Sequence, residues 1–297
     1  MSDPFRVDGP AVISFSGGRT SGLMLRRCLD AHGGTLPADV HVVFANTGLE
    51  REETLRFVDE CSTRWGVEIR WVERRPRPER FAEVTFETAS RDGEPFAALI
   101  EEKRYLPNAV TRLCTEGLKI HVLRDFMRAQ GYEHWTNVVG LRFDEPSRVA
   151  SVRARFEPRW DSVCPLASAK VTATDVAAFW RAQPFDLELR AGEGNCNLCF
   201  LKSRPLREYL AATRPQDAAW WIAQEARVGA RFHAHERGYA DLLDRARRQL
   251  PLVLDTEALN ASTIPCGCTD RRASRRCGCR NVRRGGHPLT CVFARAA

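Results

Sequence analysis

Residues Ser14-Phe15-Ser16-Gly17-Gly18-Arg19-Thr20-Ser21-Gly22, directly after the apolar run Ala11-Val12-Ile13, constrain this chain more than any other stretch. The apolar run reads as a short buried strand. The paired glycines permit a tight turn with positive φ and close backbone approach. Leu23, Met24, Arg27 and Cys28 then follow at helical spacing. A strand, a glycine turn and a helix in succession aim free backbone N–H groups and the positive end of a helix dipole at one spot, which suits phosphate. No Gly-Lys-Ser/Thr ends the loop and no Gly-x-Gly-x-x-Gly is present, so neither the lysine P-loop nor the dinucleotide fingerprint applies.

The chain then alternates. His41 to Ala45 reads as a second strand, Arg51 to Trp65 as a helix with Leu55, Val58 and Cys61 on its apolar face, and Val67 to Val72 as a third strand. This alternation predicts a parallel sheet covered on both faces, with ligands at the strand carboxyl ends. The loop Asn46-Thr47-Gly48-Leu49-Glu50 lies at such an end; Glu50 and Glu53 suit either a nucleotide site or the first turn of a helix. Residues 74–108 read as an irregular loop or lid with a short helix near Phe96 to Lys103. Arg112 to Ile120 runs into a helix through Met127, with Thr115 as its cap. Cys114 sits just before that helix between Arg112 and Lys119, an electropositive place that favours thiolate. Asn137 to Leu141 is a fourth strand. Arg142 at its end and Arg148 beyond offer two guanidinium forks for an anion.

Cys164 follows in a loop. Thr172 with Asp175 starts another helix, with Phe179 and Trp180 on its buried face, and Asp217 to Leu250 is strongly helical around aromatic anchors. Eleven cysteines without a visible secretory signal predict thiols or metal ligands, and a cytoplasmic setting, rather than disulfides. Cys196-x-x-Cys199 is spaced so that one short loop aims two sulfurs at one ion. No apolar run approaches the roughly 20 residues of a membrane span, so no membrane partner is expected. The net charge of +7 is local: Thr269 to Ala297 holds eight arginines and one aspartate, which leaves the preceding residues balanced. Nucleic-acid attraction would therefore sit in that tail or in patches. Cys266, Cys268, Cys277 and Cys279 have the count for a zinc site but not a standard finger spacing.

Several of these stretches carry a resemblance. Ser16-Gly17-Gly18-Arg19-Thr20-Ser21 resembles the PP-loop, Ser-Gly-Gly-x-x-Ser, of the ATP pyrophosphatases and the phosphoadenosine-phosphosulfate (PAPS) reductase family. Asn46-Thr47-Gly48 with Glu53-Thr54, Arg112-x-Cys114-Thr115-x-x-Leu118-Lys119, and the Gly140-x-Arg142 to Arg148 segment match further stretches of that family. Gly194-Asn195-Cys196-x-x-Cys199, together with Cys114, resembles the cluster-binding PP-loop sulfurtransferases and phage and bacterial PAPS reductase-like proteins. The resemblance covers about residues 10–268.

It implies an α/β fold, a Rossmann-like parallel sheet of the adenine nucleotide α-hydrolase type with a C-terminal helical extension. The expected division is a nucleotide-binding domain over residues 1–160, a cysteine-motif and helical extension over 161–268, and a basic tail over 269–297. ATP or a related adenine nucleotide, with Mg2+, is expected at Ser16, Gly17, Gly18, Thr20, Ser21, Asn46, Thr47, Gly48, Glu50, Arg112 and Gly140. Arg142, Arg148 and Lys119 are the expected catalytic residues. Cys114, Cys196 and Cys199 are expected to hold a [4Fe–4S] cluster, its fourth iron open or ligated by Cys164, with zinc as the alternative metal. The implied activity is adenylylation with release of pyrophosphate, coupled to sulfur transfer onto a nucleic-acid or small-molecule acceptor, with a sulfur donor protein as a further implied partner. The C-terminal Glu-Cys-Gly-x-His of the true reductases is missing, as is the adjacent double cysteine of the cluster-bearing ones. Reduction of PAPS or its relative APS is thus the second reading, and an inert nucleic-acid-binding metalloprotein the reading from another class.

Overall fold

The computed structural model describes residues 3–248. In chain order these form β1 (Ala11–Phe15), α1 (Arg19–Ala31), β2 (Val40–Asn46), α2 (Glu52–Trp65), β3 (Ile69–Arg74), β4 (Phe81–Val84), α3 (Glu94–Lys103), α4 (Leu113–Thr115) and α5 (His121–Ala129). Then come β5 (Trp135–Val139), α6 (Pro146–Ala154), β6 (Trp160–Val163), α7 (Pro165–Ser168), α8 (Ala173–Arg181), α9 (Arg204–Thr213), α10 (Ala218–Val228) and α11 (Tyr239–Arg248). The six strands make one sheet in the order β4-β3-β2-β1-β5-β6. Every pairing is parallel except β3 with β4. The near-continuous burial of β1 and β2 is what a parallel strand covered on both faces requires.

One face is covered by α1, α2 and α8. Phe57, Trp180 and Phe185 meet there, with ring centroids 4.9 to 6.0 Å apart. The approach of α8 to α1 depends on Gly22, because a Cβ there would lie 2.5 Å from Trp180. The other face carries α5 over β2 and β3, where Val43, Val72, Val122 and Phe126 form a second cluster. Over β1, β5 and β6 that same face stays open as a cavity. A third cluster gathers α3, α9, α10 and α11 around Trp221, Phe232 and Tyr239, and it backs the Cys196–Cys199 loop.

Five expectations shift. β3 starts at Ile69, because the Val67 N–H closes the end of α2 on the Ser62 carbonyl and the Ser62 hydroxyl donates back to Val67. The 74–108 stretch contains β4 as well as α3; β4 is a half-exposed edge strand without the apolar alternation that marks a strand in sequence. Thr115 is no cap: Arg112, at φ +41, precedes the helix, and a π-helical turn over Glu116–Ile120 joins α4 to α5. β5 ends at Val139, so Gly140 and Leu141 already belong to the loop. β6 pairs with β5, so the sheet runs past residue 160. The tail over 269–297, with Cys266, Cys268, Cys277 and Cys279, lies outside the described residues. Among the described residues no helix is long and apolar enough to cross a membrane.

Candidate active site

The glycine loop leaves β1 at the centre of the sheet and enters α1. Its two glycines do different work. Gly17 sits at φ +71, and a Cβ there would lie 2.6 Å from the Thr54 methyl, so conformation and packing both demand glycine. Gly18 is extended (φ −109, ψ 159), and a Cβ there would meet only the Ser16 hydroxyl at 3.7 Å. Positive φ is thus needed at one glycine, not both. Ser21 is buried under the loop. Its hydroxyl accepts from the Ser16 N–H (3.2 Å), the Gly18 N–H (3.3 Å) and the Ser16 hydroxyl (3.0 Å), and donates to the Gly18 carbonyl (2.9 Å). It braces the loop from below. The N–H groups of Gly17 and Arg19 keep no protein partner among the described residues, which leaves them, with the dipole of α1, to an anion. The Arg19 side chain turns away: its guanidinium is bidentate to Asp186 at 2.6 Å and reaches the Leu189 carbonyl at 2.9 Å.

The loop after β2 is tied to the cysteine motif. Asn46 is fully buried and braces its own loop, donating to Glu73 (2.6 Å) and the Ser90 carbonyl (2.9 Å) and accepting from the Gly48 N–H (3.2 Å). Gly48, at φ +79, packs on Gly93 and Pro95. Thr47 donates its N–H (2.9 Å) and hydroxyl (2.8 Å) to the Glu50 carboxylate. Glu50 in turn forms a one-residue antiparallel bridge with Cys196, and the Asn197 N–H donates to the Leu49 carbonyl at 2.8 Å. The Cys196 sulfur lies 3.5 Å from the Thr47 hydroxyl. From the other side, the Trp221 indole donates to Asn197 (3.0 Å) and the Tyr239 hydroxyl to the Leu198 carbonyl (2.8 Å).

Cys114, Cys196 and Cys199 pack on one apolar cluster, and the Cys199 sulfur is within electrostatic reach of the other two. Burial pushes all three thiols up. Cys199 adds to the rise at Cys114, and Glu50 with Cys199 adds to it at Cys196. The flanking basic residues therefore do not make Cys114 a ready thiolate; desolvation outweighs them. Lys119, on the π-helical turn, pulls all three thiols the other way. The Leu201 N–H donates to the Cys199 sulfur at 3.4 Å.

Sequence reasoning missed Lys202. Its ammonium donates to the carbonyls of Gly192 (2.6 Å) and Gly194 (2.5 Å), while Arg51 Nε donates to the Glu193 carbonyl between them (3.3 Å). Burial pulls Lys202 down to about 8, against the opposing pull of Cys199 and Cys196. Among the described residues neither Lys119 nor Lys202 forms a salt bridge. Three thiols beside two unneutralised lysines fit, in donor chemistry, a group that binds thiolate sulfur, because ionised sulfur would supply the missing negative charge. No three His, Cys, Asp or Glu side chains among the described residues stand close enough to hold a single metal ion. Cys164 is not part of this group; it is buried with Leu141, Val149 and Ala167 at the start of α7.

Arg142 and Arg148 do converge, but on a carboxylate of this chain. Glu145 accepts from the Arg142 N–H (3.1 Å), faces the Arg142 guanidinium at 3.5 Å and pairs with Arg148. Arg142 also donates to Asp144 (2.9 Å) and to the Thr20 hydroxyl (3.3 Å), which places it at the first turn of α1. Gly140 packs against the Ser21 backbone. Arg112 is exposed, and its side chain makes no hydrogen bond or ion pair with these groups. The open sheet face forms a cavity of about 290 Å3 whose lining includes Ser14, Ser16, Asn137 and Ser162 on its floor and Thr115 and Lys119 above.

Residues 10–187 match the phosphoadenosine phosphosulfate reductase domain. The chain is similar to the uncharacterized nin region protein ORF290 of Escherichia phage lambda, 30% identical over 202 residues, which is 65% of this chain and 66% of the phage protein. It is also similar to the uncharacterized protein MJ0066 of Methanocaldococcus jannaschii, 30% identical over 137 residues, which is 46% of this chain and 24% of the archaeal one. The chain thus spans just under two thirds of the first relative and about a quarter of the second. Among solved structures, the U34-tRNA thiolase NcsA from Methanococcus maripaludis with its [4Fe-4S] cluster matches 84% of this chain and 74% of its own at 13% identity, with a TM-score of 0.39.

Proposed function

This chain belongs to the phosphoadenosine phosphosulfate reductase domain family, and on that premise we propose that it is an adenylylating enzyme that couples ATP cleavage to sulfur transfer. The observation that carries the reading is the junction between the β2 loop and the cysteine motif. The Glu50–Cys196 bridge and the Asn197–Leu49 hydrogen bond hold the Cys196–Cys199 motif at the carboxyl end of β2, the strand beside β1 and its glycine loop, which supports sulfur chemistry next to a bound nucleotide.

The phosphates of ATP, with Mg2+, lie at the free N–H groups of Gly17 and Arg19 and the amino end of α1, braced by Ser21. Arg142, tethered at Thr20, neutralises charge on the leaving pyrophosphate once Glu145 gives way. An acceptor oxygen attacks the α-phosphorus, the bond to pyrophosphate breaks, and the acceptor carries AMP. Sulfur then replaces that oxygen, and AMP leaves with it. Cys114, Cys196 and Cys199 would hold a [4Fe–4S] cluster, which when bound supplies an iron that takes up sulfide; zinc is the alternative metal. Lys119, above the cavity and within reach of all three sulfurs, balances charge between nucleotide and sulfur. The acceptor is a nucleic acid or a small molecule with an oxygen that sulfur can replace, and a sulfur donor protein is the natural supplier of sulfide.

Reduction of a sulfonucleotide is the second reading, favoured by the matched domain's own description. Anaerobic preparation separates the possibilities. The reading expects brown protein with broad absorption near about 400 nm, colour lost in Cys196→Ala, and pyrophosphate released from ATP in the presence of acceptor. A colourless, iron-free preparation that still transfers sulfur would refute the cluster. Sulfite released from a sulfonucleotide without pyrophosphate formation would select reduction.

A further inference from the structure

The cavity on the open sheet face has a mostly apolar floor, with Val12, Val43 and Ala45 among its lining, crossed by one polar row. The Ser14 hydroxyl donates to Asn137 Oδ1 at 2.8 Å, and Asn137 Nδ2 approaches the Ser162 hydroxyl at 3.5 Å. The three residues stand on β1, β5 and β6, three neighbouring strands, with Asn137 and Ser162 in register. Strands about 4.8 Å apart make the row roughly 10 Å long, comparable to a nucleoside. A side-chain amide offers two N–H donors and an oxygen with two lone pairs. Asn137 spends one of each on its neighbours, the second in a long bond, and a half-buried amide in apolar surroundings is costly unless its remaining capacity is met. The row begins two residues before Ser16. The cavity that takes in Ser16 of the loop also takes in this row, so a nucleotide whose phosphate sits on the loop has an enclosed place for its base over it.

We infer that the Ser14–Asn137–Ser162 row reads the edge of the nucleotide base and that Asn137 sets the preference for adenine. This rests on the reading that phosphate binds at the glycine loop. An amide pairs its N–H and its oxygen with the acceptor and the donor that adenine presents side by side, the geometry by which asparagine recognises adenine in nucleic acids. Guanine offers two acceptors at the corresponding edge, so one of the two bonds is lost and a lone pair faces a lone pair. Ser14 fixes the amide plane across the row, and Ile120 and Leu123 line the cavity against the ring.

Calorimetry of the full chain with tripolyphosphate, ATP and GTP tests this. Wild-type protein should bind ATP roughly ten- to a hundredfold more tightly than GTP. Asn137→Leu, which keeps the side-chain size, should bring ATP down to the GTP level and leave tripolyphosphate binding unchanged. Asn137→Asp, which keeps a polar group for Ser14 but has no N–H to give, should also lose the ATP-to-GTP ratio, whatever it does to overall affinity. Tripolyphosphate binding with the ratio intact in both variants would overturn this inference alone. Wild-type protein that binds neither tripolyphosphate nor ATP would remove the phosphate-loop reading, and this inference with it.

Discussion

Replacing Gly18 by alanine isolates phosphate approach from folding. At φ −109 and ψ 159 the residue already sits where any L-amino acid is at ease, and a Cβ there meets only the Ser16 hydroxyl at 3.7 Å. The unliganded variant should therefore be as stable as wild type, or more so by about 0.4–1 kcal/mol, since alanine restricts the unfolded chain. That is a melting temperature unchanged or raised by about 1–4 °C. The ligand sees a different surface. A methyl group at the crown of the loop stands beside the N–H groups that must close on a phosphate oxygen. Losing one charge-assisted bond of about 1.5–3 kcal/mol weakens ATP or pyrophosphate roughly 10- to 150-fold.

Gly17→Ala supplies the contrast. Its positive φ costs a side chain about 1–2 kcal/mol. Relief of the 2.6 Å overlap with the Thr54 methyl adds about 1–3 kcal/mol. The sum, about 2–5 kcal/mol, lowers the melting point by roughly 4–20 °C. Thermal melts and calorimetry on both variants decide the matter. Wild-type ATP affinity in Gly18→Ala would show that phosphate does not lie on these N–H groups. Equal melting of the two variants would show that the asymmetry drawn between the glycines is wrong.

Glu145→Gln removes the carboxylate that Arg142 and Arg148 now hold, so pyrophosphate should bind about tenfold more tightly by calorimetry; unchanged or weaker binding would mean that Glu145 does not compete with the ligand. Cys164→Ser should retain as much iron as wild type after anaerobic reconstitution, whereas Cys114→Ser should lose it; equal loss in both would return Cys164 to the ligand set. Lys202 gives a pH signature: its ordinary value of 10.5 falls to about 8 on folding, so between these values the unfolded chain binds more protons and unloaded protein gains stability as pH rises. The shift is worth up to about 3 kcal/mol. The raised thiols work against it above their ordinary range, so the test is a comparison: melting of Lys202→Met between pH 7.5 and 10 should lack a gain that wild type shows.

The parts legible in the sequence are those whose cause is local. A buried run, two glycines and a helical period need only their own neighbours, so β1, the loop and α1 emerge as elements, and the alternation carries the sheet. Ser21 shows the limit. Its place in the loop is visible, but only the folded turn reveals that its hydroxyl faces inward to brace Ser16 and Gly18. Glu145 was open to sequence reasoning, because an acid three residues before Arg148 is an ion-pair spacing on a helix start, and it turns two free-looking arginines into a filled cradle. Lys202 carried no such signal. Its meaning depends on burial against the Gly192–Gly194 carbonyls and the two cysteines, which only the folded loop brings about; α10 and α11, distant in sequence, clamp the Cys196–Cys199 loop through Trp221 and Tyr239. The same clamp explains why the helical extension belongs to the site. A Cys-x-x-Cys loop held only by its own turn would be free to swing, whereas here one side is pinned to the β2 loop and the other to buried aromatics. The proposed transfer of sulfur to a nucleotide-activated acceptor needs that fixed separation more than it needs a reactive thiol, so three thiols that burial pushes up are compatible with the proposed role of holding the cluster rather than attacking the substrate.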